Sequence, residues 1–473
     1  MTQPNLLFLI TDQQRADTTE PATACQMPNV AALAARGARF NRCYTVNPIC
    51  SPTRASLLTG VLPHTHGMVD CTHAVPEYRA SFNADLPVWP AALQQAGYHT
   101  GYFGKWHVER SNRLENFGFD EYDVDKYHQV LGLVERDEQM SPRGVVAQPG
   151  YRDFLLYGVV DAPVESTAEY QLYSRGIEFV EQAAKNPEQP WALFLSTEAP
   201  HDPYVVPRDY FERYNPADIP PPPNFNDDLA NRPAIYRRIQ QVWQTVEWDD
   251  FARATACYYA FCSLVDDQIG RIVNFLRESG QLDNTLIVFT SDHGDYMGGH
   301  RLMLKGIPAF EEAYRVPLIL AGPGIPAGRE LDQIVSLLDL PATLTQLTTG
   351  GNFAGQGRSL GPLLAGPTAS DWPNEAFAEC HGQRFYYTQR VLWRDNFKYV
   401  FNGFDFDELY NLAADPHELT NLAAEPAYQP VLAQMAARMW QIIRDTGDDN
   451  LLKAQYGMFR FAPVGPEWRK QND

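Results

Sequence analysis

Three polar clusters each stand shortly behind an apolar run: Asp12 and Gln13 behind residues 5–10, His201 behind 191–196, and Asp292 with His293 behind 285–290. A lone aspartate behind a strand is ordinarily a cap or turn residue. Three clusters in equivalent places point instead to one shared site. Two carboxylates, an imidazole and a carboxamide suit a single hard or borderline divalent cation, because carboxylate oxygens favour calcium, magnesium or manganese and imidazole tolerates manganese. A two-zinc centre would ask for more histidines. A further segment, CSPTRASLLTG at 50–60, sets Cys50 ahead of Pro52. A proline at the first helical position would turn the thiol toward a helix N-terminus, whose free amides favour an anion.

These residues meet only on a particular scaffold. Short apolar runs alternate with amphipathic segments at 29–37, 90–97 and 252–280, the pattern of buried parallel strands joined by helices. The expected fold class is α/β: a large mixed, mostly parallel sheet flanked by helices on both faces, with ligands bound at the carboxyl ends of its strands. A Gly- and Pro-dense stretch at 350–374 marks the boundary between a catalytic domain over 1–360 and a small C-terminal α+β domain over 375–473. The latter should carry an antiparallel sheet with strands at 385–394 and 397–401, and a helix near 430–445. The proline-rich stretch 216–223 and the polar stretch 227–250 read as a surface loop or a lid.

A net charge of −20 over 473 residues leaves no basic surplus to displace counterions from phosphates, so no nucleic-acid partner is expected. No apolar stretch approaches the ~20 residues that span a bilayer, so no membrane partner is expected either. The run at 6–10 is too short for a signal peptide. Seven cysteines without CxxC spacing suggest neither a disulfide framework nor a zinc site, and a cytoplasmic location fits. Cys43, Cys71, Cys257, Cys262 and Cys380 read as small buried apolar residues. His64, His66 and His73 read as loop structure, and His300 is left open between structure and site. A homo-oligomer is also left open.

The chain resembles the formylglycine-dependent sulfatases of the alkaline phosphatase superfamily. Their signature CxPxR, followed by a helix and TG, is matched by Cys50, Pro52, Arg54, Thr59 and Gly60, with Thr53 where many members have serine. The likeness extends to NLLFLITDQQRAD, MPNVAALAARGARF, GYFGKWH, SDHGD with the later Lys305 and Gly306, RVPLI, and DELYNLAADPHELTNLA. It implies that Asp12, Gln13, Asp292 and His293 hold one divalent metal ion, Ca2+ or Mn2+ with Mg2+ open, together with formylglycine made from Cys50 by a maturation enzyme. It also implies that Arg54, Lys105, His107, His201 and Lys305 line a pocket for a small sulfated substrate. In that chemistry one hydroxyl of the hydrated aldehyde attacks sulfur and deprotonation of the other expels sulfate. Arg54 would orient the formylglycine, His107 would accept the elimination proton, and His201, with Lys305, would protonate the leaving alcohol.

One departure matters. Many sulfatases carry Asp-Asp and Asp-Asn where this chain has Asp12-Gln13 and Asp292-His293, which likens it to the choline-sulfatase, iduronate-sulfatase and phosphonate monoester hydrolase branches. A phosphonate monoester or phosphodiester hydrolase is therefore the alternative. Lys105 and His107 separate the two, since those relatives usually replace both. A third reading, a catalytically silent binding protein with Cys50 left as a thiol, runs against the filled catalytic positions.

Overall fold

The computed structural model describes residues 3–124, 140–148, 150, 152–366, 371–403 and 405–453. The end of the expected C-terminal domain, 454–473, lies outside the described residues. In chain order the strands of the first two thirds are β1 (Asn5–Thr11), β2 (Gly37–Tyr44), β3 (His99–Gly104), β4 (Glu121–Asp123), β5 (Arg143–Val146), β6 (Phe154–Val160), β7 (Trp191–Ser196), β8 (Tyr204–Pro207) and β9 (Thr285–Ser291). There follow β10 (Arg315–Val316), β11 (Leu318–Ala321), β12 (Arg329–Ser336), β13 (Glu375–Cys380), β14 (Gln389–Arg394), β15 (Phe397–Phe401) and β16 (Glu408–Asn411).

Nine strands form the central sheet in the order β10-β2-β11-β9-β1-β7-β3-β4, with β12 on β2. Only β10 and β11 run against the rest, so the sheet is mixed and mostly parallel, as the alternation predicts. The three runs that precede the polar clusters are β9, β1 and β7, side by side in its centre. Their uniform apolarity follows from burial on both faces. Leu7, Leu9, Leu193 and Phe289 enter one core, while Leu6, Phe8, Phe194 and Val288 enter the other. Burying each such side chain is worth roughly 1.5–3 kcal/mol.

The first core is closed by helices α1 (Pro28–Arg36), α4 (Ala168–Ala183) and α5 (Trp248–Glu278), the second by α2 (Cys50–Thr59), α3 (Trp89–Gln95) and α6 (Leu340–Thr349). Helix α2 begins at Cys50, two residues before the start that Pro52 suggests. A proline is tolerated anywhere in the first turn, because those amides have no intrahelical partner to lose. The helix ends on Gly60, whose φ of 67° is open to glycine and whose amide returns to Ser56 O.

The C-terminal sheet is antiparallel, in the order β13-β14-β15-β16. Phe377, Leu392, Tyr399, Phe401 and Leu409 face helix α7 (Gln429–Thr446), while Ala376, Ala378, Val391, Trp393 and Val400 join the large core. The strand expected at 385–394 begins only at Gln389, and β13 was not expected at all. A small third sheet pairs β5, β6 and β8. The stretch 227–250 is not a plain surface loop. It contains a helix at Ala234–Gln240 and buries Leu229, Arg232, Tyr236 and Trp243, and Tyr236 donates to Glu408 in the C-terminal sheet. Among the described residues no helix is long and apolar enough to cross a membrane.

Candidate active site

The carboxyl ends of the adjacent parallel strands bring the expected residues to one sheet edge. Asp12 follows β1, Asp292 follows β9, and the Asp292 amide donates to Thr11 O across the pair. Lys105 follows β3, its amide bonded to Ser196 O at the end of β7. Gln13 turns the chain at a φ of 68°, so that its own amide donates to Asp292 Oδ1 at 3.1 Å. Cys50 is the first residue of α2.

Around these ends a compact charged cluster forms. Cys50 Sγ lies 3.2 Å from His293 Nε2, 3.3 Å from Lys305 Nζ and 3.7 Å from Asp12 Oδ1. His293 Nε2 is 3.7 Å from Asp12 Oδ1 and 3.6 Å from Asp292 Oδ1. Arg54 spans the two carboxylates, donating from Nε to Asp292 Oδ2 at 2.7 Å and from Nη2 to Asp12 Oδ2 at 3.1 Å. Lys105 Nζ sits 2.8 Å from Asp12 Oδ2, and His201 Nε2 is 3.9 Å from Asp12 Oδ1. Asp12, Asp292 and His293 are fully buried.

The donor set fits one divalent cation. Donors that each lie about 2–2.5 Å from an ion stand ~3–4 Å from one another, the spacing found here. Donor atoms of Asp12, Cys50, Asp292 and His293 all lie within 4.8 Å of each other. His293 Nδ1 lies 2.9 Å from Gly294 O, which places the proton on Nδ1 and leaves the Nε2 lone pair facing the cluster. The Gln13 carboxamide nitrogen is held by Asp295 at 2.6 Å and Asp202 at 3.1 Å, so its oxygen points to Lys305 Nζ at 2.6 Å.

Burial alone would raise the Asp12 pKa, but Lys105, Lys305, His201 and Arg54 together hold it well below the usual carboxylate range. At Cys50, burial and Asp12 oppose ionisation, and Lys305, Lys105 and His293 overcome them, holding the thiol well below its ordinary value. Burial and the Asp12 charge raise Asp292. The two flanking histidines are pushed apart. Burial lowers His107 to about 4, whereas His201, against burial and two lysines, is carried up to about 9 by Asp202 and Asp12. One imidazole is therefore neutral and its neighbour protonated across the neutral range.

Every residue that the resemblance assigns to the metal or the sulfate pocket lies in or beside this cluster, His107 by way of Cys50. His107 Nε2 meets Cys71 Sγ at 3.3 Å, and its ring lies parallel to His73 at 5.1 Å. Cys71 is half-buried beside the site rather than lost in a core. His64 and His66 lie elsewhere, on Glu379 and Ser56, and His300 binds Asp227 away from the cluster. Sequence reasoning missed Asp202 and Asp295, the anchors of Gln13 and His201, and Ser196, which accepts from Arg54 at 2.7 Å. Asp202 follows His201 directly and Asp295 closes the SDHGD segment, so adjacency was the signal available.

The family model described as Sulfatase matches residues 4–351, and the one described as N-sulphoglucosamine sulphohydrolase, C-terminal, matches 298–445. The chain is 30% identical over 453 residues to the uncharacterized sulfatase YidJ of Escherichia coli (strain K12), covering 92% of this chain and 86% of that protein. It is 31% identical over 444 residues to the choline-sulfatase of Rhizobium meliloti (strain 1021), covering 90% and 83%. Among solved structures, the phosphonate monoester hydrolase SpPMH from Silicibacter pomeroyi matches with a TM-score of 0.78 at 26% identity, over 95% of this chain and 97% of that one. With this match running through both sheets and through the residues of the cluster, the chain belongs to the sulfatase family of the alkaline phosphatase superfamily and is a sulfuric ester hydrolase.

Proposed function

We propose that the chain hydrolyses small sulfate monoesters, using formylglycine made from Cys50 by a maturation enzyme and one divalent cation, calcium or manganese with magnesium a third candidate. Asp12, Gln13, Asp292 and His293 would hold the cation together with the oxidised Cys50 side chain. The observation that carries this reading is the position of Cys50 Sγ, within 3.2–3.7 Å of His293, Lys305 and Asp12 at the start of a helix. Bound there, the cation and the aldehyde hydrate supply an ionised nucleophile and a positive charge against the sulfuryl oxygens.

The chain's own residues do the rest. Arg54 fixes Asp12 and Asp292 relative to each other and to Cys50. Lys105 and Lys305 present two preorganised ammonium groups to the charge that spreads over the peripheral oxygens, worth several kcal/mol together. His107, held neutral, is in the state to accept a proton. His201, held protonated, is in the state to donate one to the leaving alcohol. The acidic surface favours small monosulfates over polysulfated chains by long-range repulsion, and the seven free cysteines suit a cytoplasmic location. We further propose the division into a catalytic part over 1–360 and a C-terminal part over 375–473.

The second reading, phosphonate monoester or phosphodiester hydrolysis, is favoured by the likeness to SpPMH. One assay decides between them: kcat/KM for a single aryl leaving group carried on sulfate monoester, phosphate diester and phosphonate monoester. Sulfate offers three peripheral oxygens where the others offer two and a carbon-bearing substituent. Lys105 and His107 facing that substituent would cost ~1–3 kcal/mol per unpaired partner. Sulfate should therefore lead by at least roughly tenfold, the factor set by ~1.4 kcal/mol. A preference for diester or phosphonate overturns the substrate class and leaves the fold and the cluster standing.

A further inference from the structure

A second group of ligand-type side chains, two buried and one half-buried, lies outside the cluster at the strand ends and shares no residue with it. One ligand atom each from His300, Glu312 and Glu418 lies within 4.8 Å of the others. They come from two distant parts of the chain: His300 and Glu312 from the connection between β9 and β10, and Glu418 from the segment after β16. Asn224 joins them, donating from Nδ2 to Glu312 Oε1 at 2.8 Å.

The hydrogen-bond account of this group does not close. His300 Nε2, Glu312 Oε2 and Asn224 Oδ1 are all buried and have no partner among the described residues, and His300 and Asn224 are fully inside the protein. An unanswered buried polar atom costs on the order of 1–3 kcal/mol, and several at one place call for an ion or for ordered water. The protonation pattern sorts these two. His300 Nδ1 lies 2.8 Å from Asp227 Oδ2, so the proton sits on Nδ1 and Nε2 offers a lone pair, as in carboxylate–histidine–metal arrangements. The amide nitrogen of Asn224 is used on Glu312, so Oδ1 is an acceptor as well. Three acceptors with no donor exceed what one water can serve with two hydrogens.

Two cations nearby, Lys398 and Arg232, touch Glu418 but not the three unanswered atoms. Lys398 contacts Glu418 and lies 3.6 Å from Glu311. Arg232 lies 3.7 Å from Asp227 and 3.9 Å from Glu408, and donates to Glu418 O. None of these bonds reaches His300 Nε2, Glu312 Oε2 or Asn224 Oδ1. We propose that His300, Glu312, Glu418 and Asn224 form a second, structural site for a borderline divalent cation of the manganese or zinc kind. One imidazole nitrogen, two carboxylates and a carboxamide oxygen match that class better than they match calcium or magnesium, which prefer all-oxygen shells. Its place in the fold gives it a role. His300 lies in the loop that carries Asp292 and His293 at one end and Lys305 at the other, and Glu418 belongs to the C-terminal segment. A cation here ties the loop of the active site to that segment.

The experiment uses the full chain carrying Asp292→Asn, which weakens the strand-end site. After equilibration with MnCl2 or ZnCl2 and removal of free metal, elemental analysis should find one equivalent retained more firmly than the rest, and adding Glu312→Gln should remove it. On the unmutated protein, crystals grown with ZnCl2 should show an anomalous peak beside His300 Nε2, which keeps the test open if the double variant does not fold. A retained equivalent that survives Glu312→Gln overturns the proposal. So does ordered water beside His300 Nε2 with no anomalous signal.

Discussion

Replacing Arg54 gives a direct measure of what holds the two central carboxylates together. Arg54 is 3% exposed, and it is the sole side-chain donor within hydrogen-bond reach of Asp292 Oδ2 among the described residues; Oδ1 of the same carboxylate accepts backbone amides from Gln13 and His293. Asp12 differs, because Lys105 Nζ stays 2.8 Å from Oδ2 if the guanidinium is lost. Ser196 and Lys105 O also keep each other, through a bond of 2.7 Å. The cost of Arg54→Met therefore falls on Asp292, and breaking a buried pair on one side costs ~3–5 kcal/mol. Arg54→Lys retains a charge but reaches one carboxylate rather than two, so it should lose about one charge-assisted hydrogen bond, ~1.5–3 kcal/mol. The measurement is urea unfolding of chelator-treated protein followed by tryptophan fluorescence, with the order wild type, Lys, Met in falling stability. The methionine variant adds a pH signature. With its partner gone, the folded-state pKa of Asp292 climbs further above the unfolded value, so the deficit is small near pH 4 and grows as pH rises toward 8. A methionine variant within ~1 kcal/mol of wild type at pH 8, or a deficit that shrinks with rising pH, would refute the reasoning.

Cys50→Ala should fold and show no turnover, and Cys50→Ser should show weak activity at best; peptide mass spectrometry of active wild type should find the aldehyde at position 50, and fully active enzyme with an intact thiol there would sink the mechanism. Asp292→Asn should lose the ion at the strand ends by removing a formal charge from its shell, read by elemental analysis and by activity against added Mn2+ or Ca2+. His64, held by Glu379 and by Thr446 O at 3.1 Å, has its pKa raised to about 9 by Glu379 against burial. Its contribution is full below the unfolded value near 6.5 and is lost as pH rises through 9, so the stability of His64→Gln should fall less steeply across that window, by on the order of 2–3 kcal/mol; parallel curves for the two proteins would count against it.

What the sequence displays and what it hides divide along physical lines. The central strands were legible because β1, β7 and β9 are covered on both faces, which forces unbroken apolar runs. The polar clusters behind them were legible for the same reason, since each stands where such a run stops. Strand β13 was not legible, because EAFAEC carries two glutamates that read as solvent-facing. Both are buried and paired, Glu375 with Arg438 and Glu379 with His64 and His381. The stretch 227–250 misled in the same way. Its Arg232 and Gln240 look exposed in sequence, yet they are buried against Glu418 O and His300 O. Paired burial of charge leaves no periodicity for a one-dimensional reading to find.

The division of labour proposed for His107 and His201 shows the same limit at the level of chemistry. In sequence only the resemblance ranks one as base and the other as acid, and nothing in the residues themselves shows why. Their difference arises in space, from which carboxylates reach them. His201 has Asp202 Oδ1 at 3.4 Å and Asp12 Oδ1 at 3.9 Å, so its protonated form is stabilised in a buried setting that would otherwise neutralise it. No carboxylate lies within ion-pairing distance of His107 among the described residues, so burial, helped by Lys105, prevails over Cys50 and Asp12 and the ring stays neutral. The same Asp202 also holds the Gln13 amide that aims the carboxamide oxygen at Lys305. One carboxylate thus sets both the charge of His201 and the orientation of the Gln13 carboxamide. Asp202→Asn should accordingly lower the pKa of His201, read by NMR titration of the histidine rings, where Asp202→Ala would also release Gln13. An unchanged His201 titration in Asp202→Asn would mean that Asp12 alone sustains the imidazolium.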